Sequence, residues 1–190
     1  MSTPMSTPIS TPMNIFILNA GRAGSTTFIQ ACRWIDNYSA GHETRCRLLG
    51  PDRLAYPDNH IEADNRLSWL LGRLDRTYGK AAYYVHLRRE PEAAATSFVR
   101  RAGFGIMKAY RDGILMEGMA GQTDHATALD YLDTVESNID LFLKDKPHQM
   151  RFRLEQARAD FDAFWTWIGA RGDLGKALAE WDIRHNASTS

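Results

Sequence analysis

Four consecutive apolar residues, Ile15-Phe16-Ile17-Leu18, run straight into a small-residue stretch, Asn19 to Ser25, and then into a helix-forming segment from Thr26 to about Asn37. An unbroken apolar run of this length fits a strand buried on both faces of a parallel sheet, not a strand with one wet face. The chain therefore opens as strand, glycine loop, helix. A second apolar strand, Tyr83 to Leu87, leads into Arg88-Arg89-Glu90-Pro91 and an alanine-rich helix to about Arg101. Proline fits the first turn of that helix, and Glu90 suits its positive end. Asp64 is placed to cap a helix whose Leu67, Leu70, Leu71 and Leu74 form one stripe. Further amphipathic helices are marked by Leu132, Val135, Ile139 and Phe142, and by Phe161, Phe164, Trp165 and Ile168. Gly169 to Gly172 breaks the latter, and a last helix is expected over about Asp173 to Asp182. Strands that alternate with helices early, followed by helices alone, predict an α/β three-layer fold. The expected core is a P-loop-like parallel sheet of about four or five strands flanked by helices, with a helical C-terminal part.

Residues 1–13 read as three tandem Ser-Thr-Pro units, a composition that forbids helix and buries little. They are expected to be a disordered leader, and residues 14–190 a single domain. Lys+Arg and Asp+Glu both number 23, and this neutrality argues against a dedicated nucleic-acid binder. Cys32 and Cys46 are too widely spaced for a CxxC site, which suggests neither a zinc framework nor a disulfide scaffold and points to a reducing, cytoplasmic setting. No stretch approaches the ~18 apolar residues of a membrane span.

Gly21-Arg22-Ala23-Gly24-Ser25-Thr26-Thr27 carries the first chemistry. Glycines let several backbone N–H groups turn toward one anion, and the helix N-terminus adds about half a positive charge. Arg22 adds a full charge, and Ser25 and Thr26 add hydroxyl donors. A phosphate or sulfate group fits this set; a purely structural turn is the bland alternative. No lysine follows a glycine in the loop, so the GxxxxGK[ST] pattern of ATPases fails. The second strand ends in Arg88-Arg89, the wrong sign for a Mg²⁺ carboxylate and the right sign for a second phosphate.

At these residues the chain resembles the sulfotransferase superfamily that uses 3'-phosphoadenosine-5'-phosphosulfate (PAPS). That family's first motif follows a strand and reads Pro or Gly, Lys or Arg, any residue, Gly, Ser or Thr, then Thr. Gly21, Arg22, Ala23, Gly24, Ser25 and Thr26 match it in order. Its second motif is a strand, Arg-x-Pro, and a serine eight residues after the arginine; Arg89, Pro91 and Ser97 match. The stretch from Phe161 to Asn186 also resembles the end of bacterial members, so the resemblance covers roughly Asn14 to Asn186. It implies that the first loop binds the 5'-phosphosulfate and that Arg89 and Ser97 bind the 3'-phosphate. It further implies sulfuryl transfer, without a metal, to a hydroxyl or less readily an amine of a small molecule, glycan or lipid.

The resemblance implies a Glu or His as catalytic base. Glu43 is the first candidate and His42 the second, with His60 and Glu62 as further candidates. Arg22 is expected to stabilise charge on the departing group. In the family a late basic loop folds over the nucleotide, which brings in Arg171 or Lys176; a plain helix–helix turn explains them equally well. His86, inside the second strand, reads as a buried core residue. A chain this short leaves little room for an acceptor pocket, so a second copy completing it, as a homodimer, is an expectation. The alternatives are a degenerate P-loop kinase or NTPase and a non-catalytic nucleotide-binding module.

Overall fold

The computed structural model describes residues 13–183. Residues 1–12 of the expected leader, and the ending Arg184-His185-Asn186, lie outside the described residues. The strands are β1 (Ile15–Leu18), β2 (Ser39–His42), β3 (His60–Ala63), β4 (Tyr83–Arg88) and β5 (Gln149–Arg153). They form one five-stranded sheet in the order β2-β3-β1-β4-β5, and every neighbouring pair is parallel. The helices are α1 (Ser25–Cys32), α2 (Leu71–Tyr78), α3 (Pro91–Val99), α4 (Gly105–Ala109), α5 (Asp124–Leu143), α6 (Ala157–Trp167) and α7 (Leu174–Ala179). Among the described residues no helix is long and apolar enough to cross a membrane.

The expected double burial of the first strand is what the fold contains. All four β1 side chains are buried, and they alternate between two cores as a period of two requires. Phe16 and Leu18 join Leu74 of α2, Phe98 of α3 and Tyr131 to Leu143 of α5. Ile15 and Ile17 join Phe28 of α1, Phe161 and Phe164 of α6 and Ala177 of α7. The ring of Phe28 has those of Phe152, Phe161, Phe164 and Trp181 within 5.0 to 6.0 Å, which ties the C-terminal helices to α1. The result is the three-layer α/β arrangement that the alternation of elements predicts.

Three local expectations are corrected. The first helix stops at Cys32, short of Asn37, because the next residues pair elsewhere. Ile35 bridges to Gly172, and the Asp36 amide donates to the Arg171 carbonyl at 2.7 Å. The leucine stripe divides into a 3-10 turn, Asn65–Trp69, and α2. Asp64 does cap it, accepting from the Arg66 amide at 2.8 Å. The last helix ends at Ala179 and continues only as a 3-10 turn, Glu180–Asp182.

His86 is a fully buried core residue, as expected. Its Nδ1 lies 3.2 Å from Asp140 Oδ1, while Nε2 has no hydrogen-bond partner among the described residues. Burial pulls its pKa down to about 4, outweighing the opposing pull of Asp140. In the unfolded chain a histidine titrates near about 6.5, so between these values the unfolded state binds more protons. Stability is therefore expected to fall as pH drops from about 6.5 toward about 4. Urea titrations across this range should show the decline in the wild type and a much flatter profile in His86→Leu.

Candidate active site

The loop after β1 is held from within. The buried Asn19 side chain accepts from the Gly21 amide at 2.9 Å and donates to the Ile17 carbonyl at 3.1 Å. Tyr131 of α5 donates to the Ala20 carbonyl at 2.6 Å, and Ser68 donates to the Asn19 carbonyl at 3.0 Å. With these carbonyls satisfied inside, the loop reaches α1, whose first amides have no partner within a helix. Gly21 and Gly24 have φ of +97° and +89°, and Arg22 between them also lies in the left-handed region at +57°. A Cβ on Gly24 would meet Leu154 Cδ1 at 2.7 Å, a side-chain end that can move, so the need for glycine here is set by its left-handed φ. The first turn of α1 holds no acidic residue, which leaves its positive end without a carboxylate in its own turn.

Arg22 reaches across the loop. Its Nε donates to Ser97 Oγ on α3 at 2.9 Å, and Arg89 Nη1 donates to the Arg22 carbonyl at 3.2 Å. The two sequence motifs thus meet in space. Burial, then the charges of Arg101 and Arg89, push the Arg22 guanidinium below the usual arginine range. Among the described residues, neither Arg22 nor Arg89 forms an ion pair with a carboxylate. Arg88 instead pairs with Glu136 of α5, which removes it from the loop.

The four candidate bases divide by position. His42, the last residue of β2, has Nε2 3.0 Å from Ser25 Oγ in the loop. Glu43 follows it with a left-handed φ of +54°, and its carboxylate pairs with Arg66 Nη1 at 2.8 Å. Glu62 is fully buried beneath this corner. It accepts from the Thr44 amide and hydroxyl, each at 2.7 Å, and lies 2.9 Å from His60 Nε2. His60 is also buried, with Nδ1 2.8 Å from Ser39 Oγ. Glu62 and His60 therefore brace the His42-Glu43-Thr44 corner rather than face outward.

Arg171 and Lys176 are placed away from the loop, beyond the opposite end of α1. The Arg171 amide donates to Asn37 Oδ1 at 2.7 Å, and Lys176 Nζ lies 3.0 Å from Asp173 and 4.9 Å from the centre of the Trp34 ring. Among the described residues, no three His, Cys, Asp or Glu side chains are grouped to hold a metal ion. Sequence reasoning missed Asn19, Ser68, Tyr131, Arg66 and Arg101. Only Arg101 carried a signal, its spacing of four residues from Ser97 along a helix.

No family model and no curated protein matches the chain. Solved structures do. A sulfotransferase domain from the curacin biosynthetic pathway superposes with a TM-score of 0.59 at 15% identity, covering 95% of this chain and 81% of that one. Mouse sulfotransferase SULT7A1, in a structure complexed with PAP, gives 0.56 at 11% identity over 88% of this chain. The chain spans 64% of the mouse protein's length. This is a sulfotransferase-like fold. At these identities the likeness is one of fold, and it agrees with the resemblance carried by the two motifs.

Within this sulfotransferase-like fold the roles of Glu62 and Glu43 differ in stability. Removing Glu62 leaves the buried His60 Nε2 without its partner, at about 1–3 kcal/mol, while the exposed Thr44 can turn to water. The Glu43–Arg66 pair is partly exposed and contributes about 0–1 kcal/mol. Chemical denaturation should show Glu62→Ala destabilised by about 1–3 kcal/mol and Glu43→Ala by about 1 kcal/mol or less.

Proposed function

We propose that this chain is a PAPS-dependent sulfotransferase acting on a hydroxyl, or less readily an amine, of a small-molecule, glycan or lipid acceptor in the cytoplasm. The observation that carries this reading is the Arg22–Ser97 hydrogen bond. It joins two anion-binding elements, the head of α1 and the Arg89–Ser97 pair, which lie 75 residues apart in sequence at that bond. A nucleotide with anionic groups at both its 5' and 3' positions fits two such centres; a 5'-nucleotide alone would leave Arg89 unmatched. The PAP complex of the mouse neighbour supports the same choice. The loop's lack of a lysine after its glycines speaks against ATP as the ligand.

PAPS, when bound, supplies the sulfuryl group. Arg22, the α1 amides, Ser25 and Thr26 would hold its 5' end and oppose negative charge that develops there. Ser97 accepts from Arg22 and keeps its own O–H for a 3'-phosphate oxygen, which Arg89 would also contact. Anchoring this remote end restrains the nucleotide for in-line attack. Of the candidate bases, His42 has the best position, because its Nε2 lies against the loop serine. Neutral imidazole can take the acceptor's proton there. Glu43, first in the sequence reading, is directed at Arg66 and stands as the second choice.

Calorimetry with 3',5'-adenosine diphosphate, 5'-AMP and ATP tests the ligand. The bisphosphate should bind at least tenfold tighter than 5'-AMP, a gap of about 1.4 kcal/mol, and Arg89→Ala should close most of it. Equal affinities in the wild type, or tighter binding of ATP, would defeat the proposal.

Turnover tests the base. His42→Ala should lower the rate by about 10²–10⁴ while nucleotide affinity stays within a few-fold. If Glu43→Gln produces that loss and His42→Ala does not, Glu43 is the base. If neither matters, the site binds nucleotide without catalysis by this route.

A further inference from the structure

We infer that Arg101 is a third cation of this anion site and closes on the nucleotide's 3'-phosphate from the far end of α3. The inference rests on the nucleotide reading above and adds a residue that neither sequence motif contains. α3 ends at Val99; Arg100 keeps helical φ, and a closing turn follows in which the Arg101 amide donates to the Phe98 carbonyl, three residues back, at 2.7 Å. Ser97 and Arg101 are four residues apart, about one turn along the chain at the end of α3. Ser97 is the residue that holds Arg22. Phe98, between them, packs against the loop, its Cζ 3.3 Å from where a Cβ on Gly21 would stand. The Arg101 guanidinium carbon sits 5.9 Å from the centre of the Phe104 ring, a contact that holds the half-buried side chain.

Charge completes the case. Arg53, Arg66 and Arg88 surround the same end of the sheet, and each is paired with a carboxylate. Arg22, Arg89 and Arg101 have no such pair among the described residues, although Arg101 and Arg89 both act on the Arg22 charge. Like charges kept together without a counter-charge suit a multivalent anion. A terminal phosphate carries about 1.5 to 2 negative charges, which Arg89 alone does not balance. Arg22 is also required at the 5' end. Arg101 adds positive charge at the 3' end beside Arg89, with Arg22 held on Ser97.

The test titrates the full chain with 3',5'-adenosine diphosphate and with 5'-AMP, as wild type, Arg101→Gln and Arg101→Lys. Arg101→Gln should weaken the bisphosphate by about tenfold and leave 5'-AMP within about twofold. Arg101→Lys, which keeps the charge, should recover most of the loss and serves as the control for folding. Wild-type-like binding of the bisphosphate by Arg101→Gln, or equal weakening of both ligands, overturns the inference while leaving the nucleotide reading in place. A wild type that does not distinguish the two ligands overturns both, so the two failures are read from different titrations.

Discussion

β1 is buried on both faces and bonded along both edges, and the rest of the molecule is arranged around that constraint. A strand with no wet face needs helices above and below it, which α1, α6 and α7 provide on one side and α2, α3 and α5 on the other. The chain leaving β1 then emerges at the middle of the sheet's carboxyl edge, not at its rim. There the strand order changes direction: β3 and β2 lie on one side of β1, β4 and β5 on the other. Such a switch point opens a crevice between diverging connections. The loop after β1 and Arg89, just after β4, both lie in it, which is why two motifs distant in sequence share the Arg22–Ser97 and Arg89–Arg22 hydrogen bonds.

A loop in that position cannot leave its carbonyls to water. Asn19, Tyr131 and Ser68 take up the polar groups that point inward, and the loop leads into the N-terminus of α1, an end whose dipole suits an anion. The surrounding charges are divided in the same sense. Arg53 forms a buried pair with Asp64 at 2.5 Å, Arg66 serves Glu43, and Arg88 serves Glu136. These pairs hold the corners of the crevice. Among the described residues Arg22 and Arg89 have no carboxylate partner, so a chain of zero formal charge still presents a local cationic centre. Net charge describes the average surface and says little about such a site.

Elements with a strong apolar period were legible in the sequence: β1, β4, α5 and α6 stand where their patterns predict. β2, β3 and β5 were not. β3 reads His-Ile-Glu-Ala, a polar pattern, yet all four residues are buried because Glu62 and His60 satisfy each other and Thr44. β2 is small and polar, and β5 is an edge strand with only Phe152 fully buried. The candidate bases show the same limit. His42, Glu43, His60 and Glu62 are equivalent as residue types and close in sequence. Strand register decides that His42 ends β2 beside Ser25, while Glu62 lies under the same corner, opposite Gly41.

By itself the sequence determined the local units: a strand apolar throughout, a glycine loop leading into a helix, and two arginine-bearing motifs with the spacing of anion sites. Those features depend on neighbours within a few residues, where periodicity and backbone conformation act directly. Only the tertiary structure decided which charges are neutralised, which carboxylate is buried, and which imidazole reaches the loop. Each of these depends on partners tens of residues away, such as Ser97 for Arg22 or Arg66 for Glu43. A charge's chemistry is set by what is packed around it, and that is assembled only when the sheet brings its carboxyl ends together.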